Sequence, residues 1–353
     1  MDMNIDSRIF KEDLEMINLS HYIDWSKLQN KTVLITGGTG LIGSTVIKAL
    51  LYVNEVRKLN VCVLALVRSV EKAKRLFGNE TDALRFIVGS VEELPTIVEP
   101  IDYIIHGASP TASLFFVNHP VETIQIATMG TMRLLMLAHT KEVGGFVYLS
   151  SMEVYGAPKE DTLIPESQGC TLDSMSVRSC YPIAKRQCET LCASYVQEYG
   201  VPAKVVRLAQ TFGPGVERDD KRVFAEFARN VMNKTNIVLQ TAGTSKREYL
   251  YTADAVTAIL TVLLHGKTGE AYNAGNPETY CSISEMAQLV AEEITGKKIN
   301  VHVAEDTKSG EYKFPPAHHL HLDVSKLTNI GWQPTRGLKE MYKRMIAEME
   351  ERL

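Results

Sequence analysis

The chain has 353 residues, 45% of them hydrophobic and 23% charged, with 38 Lys+Arg against 42 Asp+Glu and a net charge of −4. This composition belongs to a globular protein and excludes a disordered tail, a collagen-like repeat and a coiled coil. The slightly acidic balance argues against nucleic acid as a partner.

Residues 7–30 read as an N-terminal helical extension, with Ile9, Phe10, Leu14 and Ile17 at helical spacing. At Lys31 the pattern changes. KTVLIT is a short β-rich run, followed by a glycine turn and by LIGSTVIKALL, a helix. VCVLALV, RFIVG and IDYIIHGAS read as strands, with the helix EKAKRLF after the first of them. A long helix near Val121–His139 precedes the strand FVYLSS, and another near Pro182–Tyr199 precedes the strand AKVVRLA. Strands alternating with helices predict a doubly wound parallel sheet, and the near-continuous apolar strands predict cover on both faces. The expected fold is therefore α/β: a Rossmann domain over 31–211, and a smaller C-terminal substrate-binding lobe over 212–353, some of whose strands return to the Rossmann sheet. In that lobe GPGVERDDKR reads as a loop, RVFAEFARNVMN as an amphipathic helix and IVLQ as a strand, and Lys246-Arg247 are placed on a loop.

The turn TGGTGLIG satisfies G-x-x-G-x-x-G at Gly37, Gly40 and Gly43 between a strand and a helix. Glycines there allow a tight turn and close approach of backbone to a pyrophosphate, which the helix N-terminus attracts. A ribose-binding acid is expected about 20 residues further on, at the end of the second strand. Residues 63–69 contain none; Arg68 stands there, followed by Lys72 and Lys74. A cation in that place suits a 2′-phosphate and tilts the choice between NAD and NADP slightly towards NADP. The alternative is an Arg68 that stacks on adenine or reaches solvent.

Tyr-x-x-x-Lys occurs twice, at Tyr155…Lys159 and Tyr181…Lys185. Gly156 and Pro158 argue against a helix at the first. The second puts both side chains on one helical face, with Pro182 suited to the first turn. A tyrosine with a pKa near 10 that works as a base near pH 7 needs about 4 kcal/mol of help. The Lys185 ammonium and an oxidised nicotinamide both favour phenolate. Ser151 closes the strand FVYLSS where this fold places ligands, and strand alternation sends its rival Ser150 to the other face.

TGGTGLIG, SSMEVYG, YPIAK and the late GWQP resemble the extended short-chain dehydrogenase/reductases of the NAD-dependent epimerase/dehydratase family, over roughly residues 31–340. SPTASLFFVNHPVETIQIATMGT, VRSCYPIAKR and DDKRVFAEF bring the resemblance nearest to the UDP-glucuronate decarboxylases. It implies catalytic roles for Ser151, Glu153, Tyr181 and Lys185. It places Gly37, Thr39, Gly40, Leu41, Ile42, Gly43, Arg68, Ser90 and Ala108 along a tightly bound NAD or NADP, and Ser109, Gln210, Arg222 and Arg247 against the substrate. Arg222 and Arg247 suit phosphate oxygens by their planar fork. Met152 stands where decarboxylases carry serine and dehydratases a proton-donating aspartate, Gln210 where many relatives have asparagine, and Ser90 where an adenine-binding aspartate is common. The implied activity is transient oxidation of carbon 4 of a nucleotide sugar, UDP-linked by preference. Decarboxylation ranks first, 4-epimerisation second and 4,6-dehydration third, since methionine supplies no proton. A non-catalytic NAD(P)-binding regulator is the alternative from another class. Similar enzymes dimerise, so the helices near 121–139 and 182–199 are expected to meet a second copy.

The six cysteines, at 62, 170, 180, 188, 192 and 281, lack C-x-x-C spacing and read as thiols in a reducing compartment. His318, His319 and His321 lie beside Pro315 and Pro316 and read as a solvated loop, with no metal expected. The longest apolar run, Val61 to Val67, is too short to span a bilayer, and the first residues lack an apolar signal core. The expected setting is cytoplasmic, away from membranes.

Overall fold

The structure is a computed structural model and describes residues 7–111, 113–158, 160–169, 172–304 and 318–352. It opens with helix α1 (Arg8–Asn18), whose cap Ser7 accepts from the Phe10 amide. Strand β1 (Thr32–Thr36), helix α2 (Leu41–Arg57), β2 (Cys62–Val67), α3 (Val70–Phe77), β3 (Leu84–Val88) and β4 (Tyr103–His106) follow. Next come α4 (Ser113–Asn118), α5 (Pro120–Thr140), β5 (Gly145–Ser151), the short β6 (Leu163–Ile164), α6 (Cys180–Tyr199) and β7 (Ala203–Leu208). The remainder holds β8 (Gln210–Phe212), α7 (Val223–Asn233), β9 (Ile237–Leu239), β10 (Lys246–Tyr251), α8 (Thr252–His265), β11 (Ala271–Ala274) and β12 (Asn276–Ser282). The chain then forms α9 (Ile283–Leu289), β13 (Val301–Val303), β14 (His319–Leu322), α10 (Ser325–Thr328) and α11 (Leu338–Glu351).

Seven strands form one parallel sheet in the order β11-β7-β5-β4-β1-β2-β3. Chain order reverses between β1 and β4, so a crevice opens beyond their carboxyl ends, where such sheets bind ligands. Strand alternation divides the core. Val33, Ile35, Val63, Ala65 and Val147 face one cluster with α2 and α8, while Leu34, Leu64, Phe146 and Tyr148 face the other with α5 and α6. Cover on both sides is why these strands carry almost no polar residue. Strand β11, from the second half of the chain, occupies the edge of this sheet beside β7.

A smaller sheet, β12-β10-β14-β6 with β8 beside β10, forms the second layer. It corrects two expectations. Lys246 and Arg247 are not on a loop; they begin β10, paired with β12 and β14. His319 and His321 are in β14 rather than on a solvated loop, and His321 stacks on Tyr280 at 4.1 Å between centroids. The backbone pairing of β14 with β10 and β6 overrides the turn signal of Pro315 and Pro316, which lie outside the described residues.

Glu248 is fully buried at the heart of this sheet. The Leu322 amide donates to its Oε1 at 2.7 Å, and its Oε2 has no partner among the described residues. Burial pushes the Glu248 carboxyl up to about 8. The folded form therefore holds a proton that the unfolded chain releases near pH 4.5, and the stabilisation from that proton is lost as pH rises from there to about 8. Glu248→Gln mimics the protonated acid. The variant should match the wild type at pH 5 and unfold at higher denaturant at pH 8.5, the gap growing by on the order of 1 kcal/mol per pH unit between. Parallel pH profiles for the two proteins would refute this account.

Candidate active site

The glycine turn lies at the switch point. Gly37 adopts φ +71°, and a Cβ there would come within 2.8 Å of Gly107 at the end of β4. At Gly43 a Cβ would meet the Gly37 carbonyl oxygen at 2.2 Å, so only glycine lets α2 start so close to the turn. Gly40 differs: it is exposed, caps α2 without a side chain, and its Cβ would meet nothing closer than 3.4 Å. The amides of the first helical turn are thus left facing an open approach, with Thr39, Leu41 and Ile42 half-buried around it. These residues fit the pyrophosphate of a dinucleotide.

Opposite the turn, the Ala108 amide donates to Thr36 Oγ1 at 3.2 Å, and Thr36 is bridged by the buried His106 ring to Thr131. Burial holds His106 down at about 3, so the ring is neutral and serves as a fixed strut. Ser109 turns its hydroxyl to the Pro110 carbonyl and Ser90 accepts from the Glu93 amide, so both tie their own loops.

Tyr181 and Lys185 occupy the first two turns of α6, one turn apart on a buried face. The Tyr181 ring stacks on Phe116 of α4, centroids 4.3 Å apart and planes within 10°. Its hydroxyl is hydrogen-bonded to Ser151 at the end of β5, and the charges of Glu153 and Arg222 both act on it. Burial and Glu153 push the phenol above its usual range, while the Ser151 bond and Arg222 pull it down. The expected charge relation is thus altered. Lys185 donates to the Leu149 carbonyl at 2.7 Å and lies over the Tyr181 ring, 5.7 Å from its centroid, rather than at its oxygen. Arg222 is the cation that favours phenolate here. Burial lowers Lys185 itself to about 8.

Strand alternation separates the two serines. Ser150 donates to Glu189 Oε1 at 2.6 Å on the α6 side, and Glu189 pairs with Arg207 of β7. Ser151 caps the turn 152–155 by accepting from the Glu153 amide at 3.2 Å, which sets Glu153 beside Tyr181. Met152 points into the core and is only 2% exposed. The rival pair cannot be compared, because Lys159 is outside the described residues; Tyr155 itself is buried and bonded to Asn273 and Arg207.

A cavity of 290 Å³ opens at the glycine turn, lined by Thr39, Gly40, Leu41 and Arg222. Arg222 is held by Asp220 and packs over Phe224. Gln210 lies half-buried in β8. Arg247 stands apart from this group: its Nη2 meets His318 at 3.3 Å, and its buried Nε has no partner among the described residues. Arg68 is exposed and does not wall the cavity, whereas Lys72 and Arg75 of α3 do. Sequence reasoning missed Phe116, which stacks on Tyr181, and Arg75, Ser7 and Phe10, which line the cavity. The i, i+3 spacing of Lys72 and Arg75 was the available signal. Among the described residues no trio of His, Cys, Asp or Glu is placed to hold a metal ion, and no helix is long and apolar enough to cross a membrane.

Residues 33–275 match the model of the NAD dependent epimerase/dehydratase family. UDP-glucuronic acid decarboxylase 3 of Arabidopsis thaliana is 32% identical over 92% of this chain and 90% of its own. Among solved structures, UDP-glucose 4-epimerase of Thermotoga maritima, with UDP-glucose, has a TM-score of 0.75 at 22% identity, covering 91% of this chain and 99% of its own. UDP-glucuronic acid 4-epimerase of Bacillus cereus, with UDP-glucuronic acid and NAD, has a TM-score of 0.73 at 20% identity, covering 91% and 100%.

Proposed function

Because the chain belongs to the NAD dependent epimerase/dehydratase family, we propose that it oxidises carbon 4 of a UDP-linked hexuronate transiently and releases carbon dioxide. The observation that carries this reading is the Tyr181 hydroxyl, bonded to Ser151 and acted on by Glu153 and by Arg222, which also lines the cavity at the glycine turn. NAD(P), held at the glycine turn, would supply a hydride acceptor and donor for carbon 4. Tyr181 takes the proton from the carbon 4 hydroxyl, and Ser151 donates to the same oxygen as it becomes a carbonyl. The ketone draws electrons from carbon 5, whose bond to the carboxylate breaks; Ser151 and the protonated Tyr181 hold the enolate oxygen. Glu153 relays a proton from solvent to carbon 5, and Tyr181 gives its proton back to the oxygen as carbon 4 is reduced again. The buried unpartnered Nε of Arg247 suits a phosphate oxygen, and Gln210 and Ser109 complete the substrate side.

The test is incubation with UDP-glucuronate followed by NMR. A UDP-pentose with release of carbon dioxide supports the reading. Interconversion at carbon 4 without mass change would replace it with 4-epimerisation, which shares the oxidation and does not need Glu153. Loss of water is not expected, since the core-facing Met152 has no proton to give.

A second copy of the chain completes the proposal. Val121, Ile124, Met132 and Met136 form an exposed apolar stripe along α5, which packs beside α6. Met132→Glu with Met136→Glu should convert a dimer to a monomer in sedimentation; an unchanged mass would remove this face from the interface.

A further inference from the structure

We infer that the dinucleotide carries a 2′-phosphate and that Lys72 and Arg75 of α3 hold it. The inference rests on the dinucleotide reading of the glycine turn and adds which cofactor and which residues. Strand β2 lies beside β1 in parallel, so α3 starts next to the glycine turn. The adenosine ribose of a dinucleotide bound in such a crevice lies at this strand end, where NAD-binding chains place an acid. Here the strand ends in Val67, Arg68 and Ser69. Ser69 is committed to capping: it accepts from the Lys72 amide at 3.1 Å and donates to Glu71 at 2.9 Å. Glu71, the one carboxylate in this stretch, is exposed, bonded to Ser69, and does not wall the cavity.

The cavity's charges show what is left over. Arg222 is paired with Asp220, and Arg352 with Glu348 and Glu217. Lys48 lies over the Phe10 ring. Lys72 and Arg75 also line the cavity; neither makes a close ion pair among the described residues, and Arg75 acts on Glu71 only as a neighbouring charge. They are three residues apart on one helical face and line the cavity together with Thr39, which Lys74 between them does not. Lys72, with no ion pair among the described residues, and Arg75, whose charge acts on the exposed Glu71 one turn away, line the cavity at a phosphate-binding turn, and together they fit a dianionic phosphate and disfavour a bare 2′-hydroxyl. Arg68, the residue named by strand position, is directed to solvent instead.

The full-length protein is titrated with NADPH and NADH by nicotinamide fluorescence, with 2′,5′-ADP and ADP as competitors, and any nucleotide released on denaturation is weighed. Expected are NADPH affinity at least about 10-fold above NADH and stronger competition by 2′,5′-ADP. Lys72→Ala/Arg75→Ala should weaken NADPH about 10-fold or more and NADH by less than about threefold. Both side chains are on the solvent side of α3, so the fold survives the change. Equal affinities, tighter NADH, or released NAD overturn the inference and leave the dinucleotide reading standing. A preference that survives the double variant but vanishes in Arg68→Ala overturns the residue assignment. Failure of both nucleotides to bind removes the dinucleotide reading as well.

Discussion

Replacing Tyr181 with phenylalanine is expected to lower kcat by about 10³-fold while the protein keeps its cofactor and its melting temperature. The ring stays stacked on Phe116, so only the hydroxyl is lost. Nothing else at the site can take its proton-transfer role at the same place. Ser151 is bonded to that hydroxyl, and Lys185 donates to Leu149. The phenol's raised pKa sharpens the expectation. Burial and Glu153 hold it protonated, so its conversion to a base depends on positive charge arriving with the cofactor, added to Arg222. Removing Glu153 as Glu153→Gln should therefore shift the acidic limb of the oxidation step to lower pH, since a charge that raises the phenol is gone. Should Tyr181→Phe turn over within tenfold of the wild type, this oxygen is not the base.

The largest effect on stability is expected at Arg344. Its guanidinium ties α11 to the N-terminal helix: Nη2 donates to Asp13 at 2.8 Å and to the Ile9 carbonyl at 3.0 Å, Nη1 to Glu12, and Nε to Tyr251. Tyr251 in turn donates to Asp13 at 2.6 Å. Asp13 is 3% exposed, and its carboxyl is already raised by burial despite these partners. Arg344→Ala leaves that charge buried beside one hydroxyl, at a cost of about 3–5 kcal/mol. For a chain of this length the melting temperature should fall by about 5 °C. Asp13→Asn combined with Arg344→Met should recover much of it, because the buried charge is gone from both sides. Cofactor binding should weaken in the single variant as well, since α1 supplies Ser7 and Phe10 to the cavity at the glycine turn. A loss under about 1 kcal/mol would show that the network is not holding the helix.

These effects also mark where the sequence was readable. The parallel sheet was legible because strands covered on both faces must be apolar along their whole length, and because helices recur between them. The glycine turn was legible because steric demands at Gly37 and Gly43 leave one residue type. Tyr181 and Lys185 were legible because four residues make a helical turn, and Ser151 over Ser150 because strand side chains alternate. The second sheet was not. Lys246-Arg247 and His319–Leu322 carry polar residues that look like a loop, and pairing with strands far along the chain makes them β-structure.

Local chemistry along the chain thus determined the fold class, the glycine turn, and where Ser151, Tyr181 and Lys185 lie on their strand and helix. Tertiary structure alone decided that Arg222 rather than Lys185 is the cation acting on the Tyr181 oxygen, that Lys72 and Arg75 rather than Arg68 line the cavity, and that Ser7 and Phe10 belong to its wall. Short-range sterics fix turns and helical faces. The distance between two charges, and the direction in which a flexible cation points, depend on how separate helices pack, and no local pattern records that.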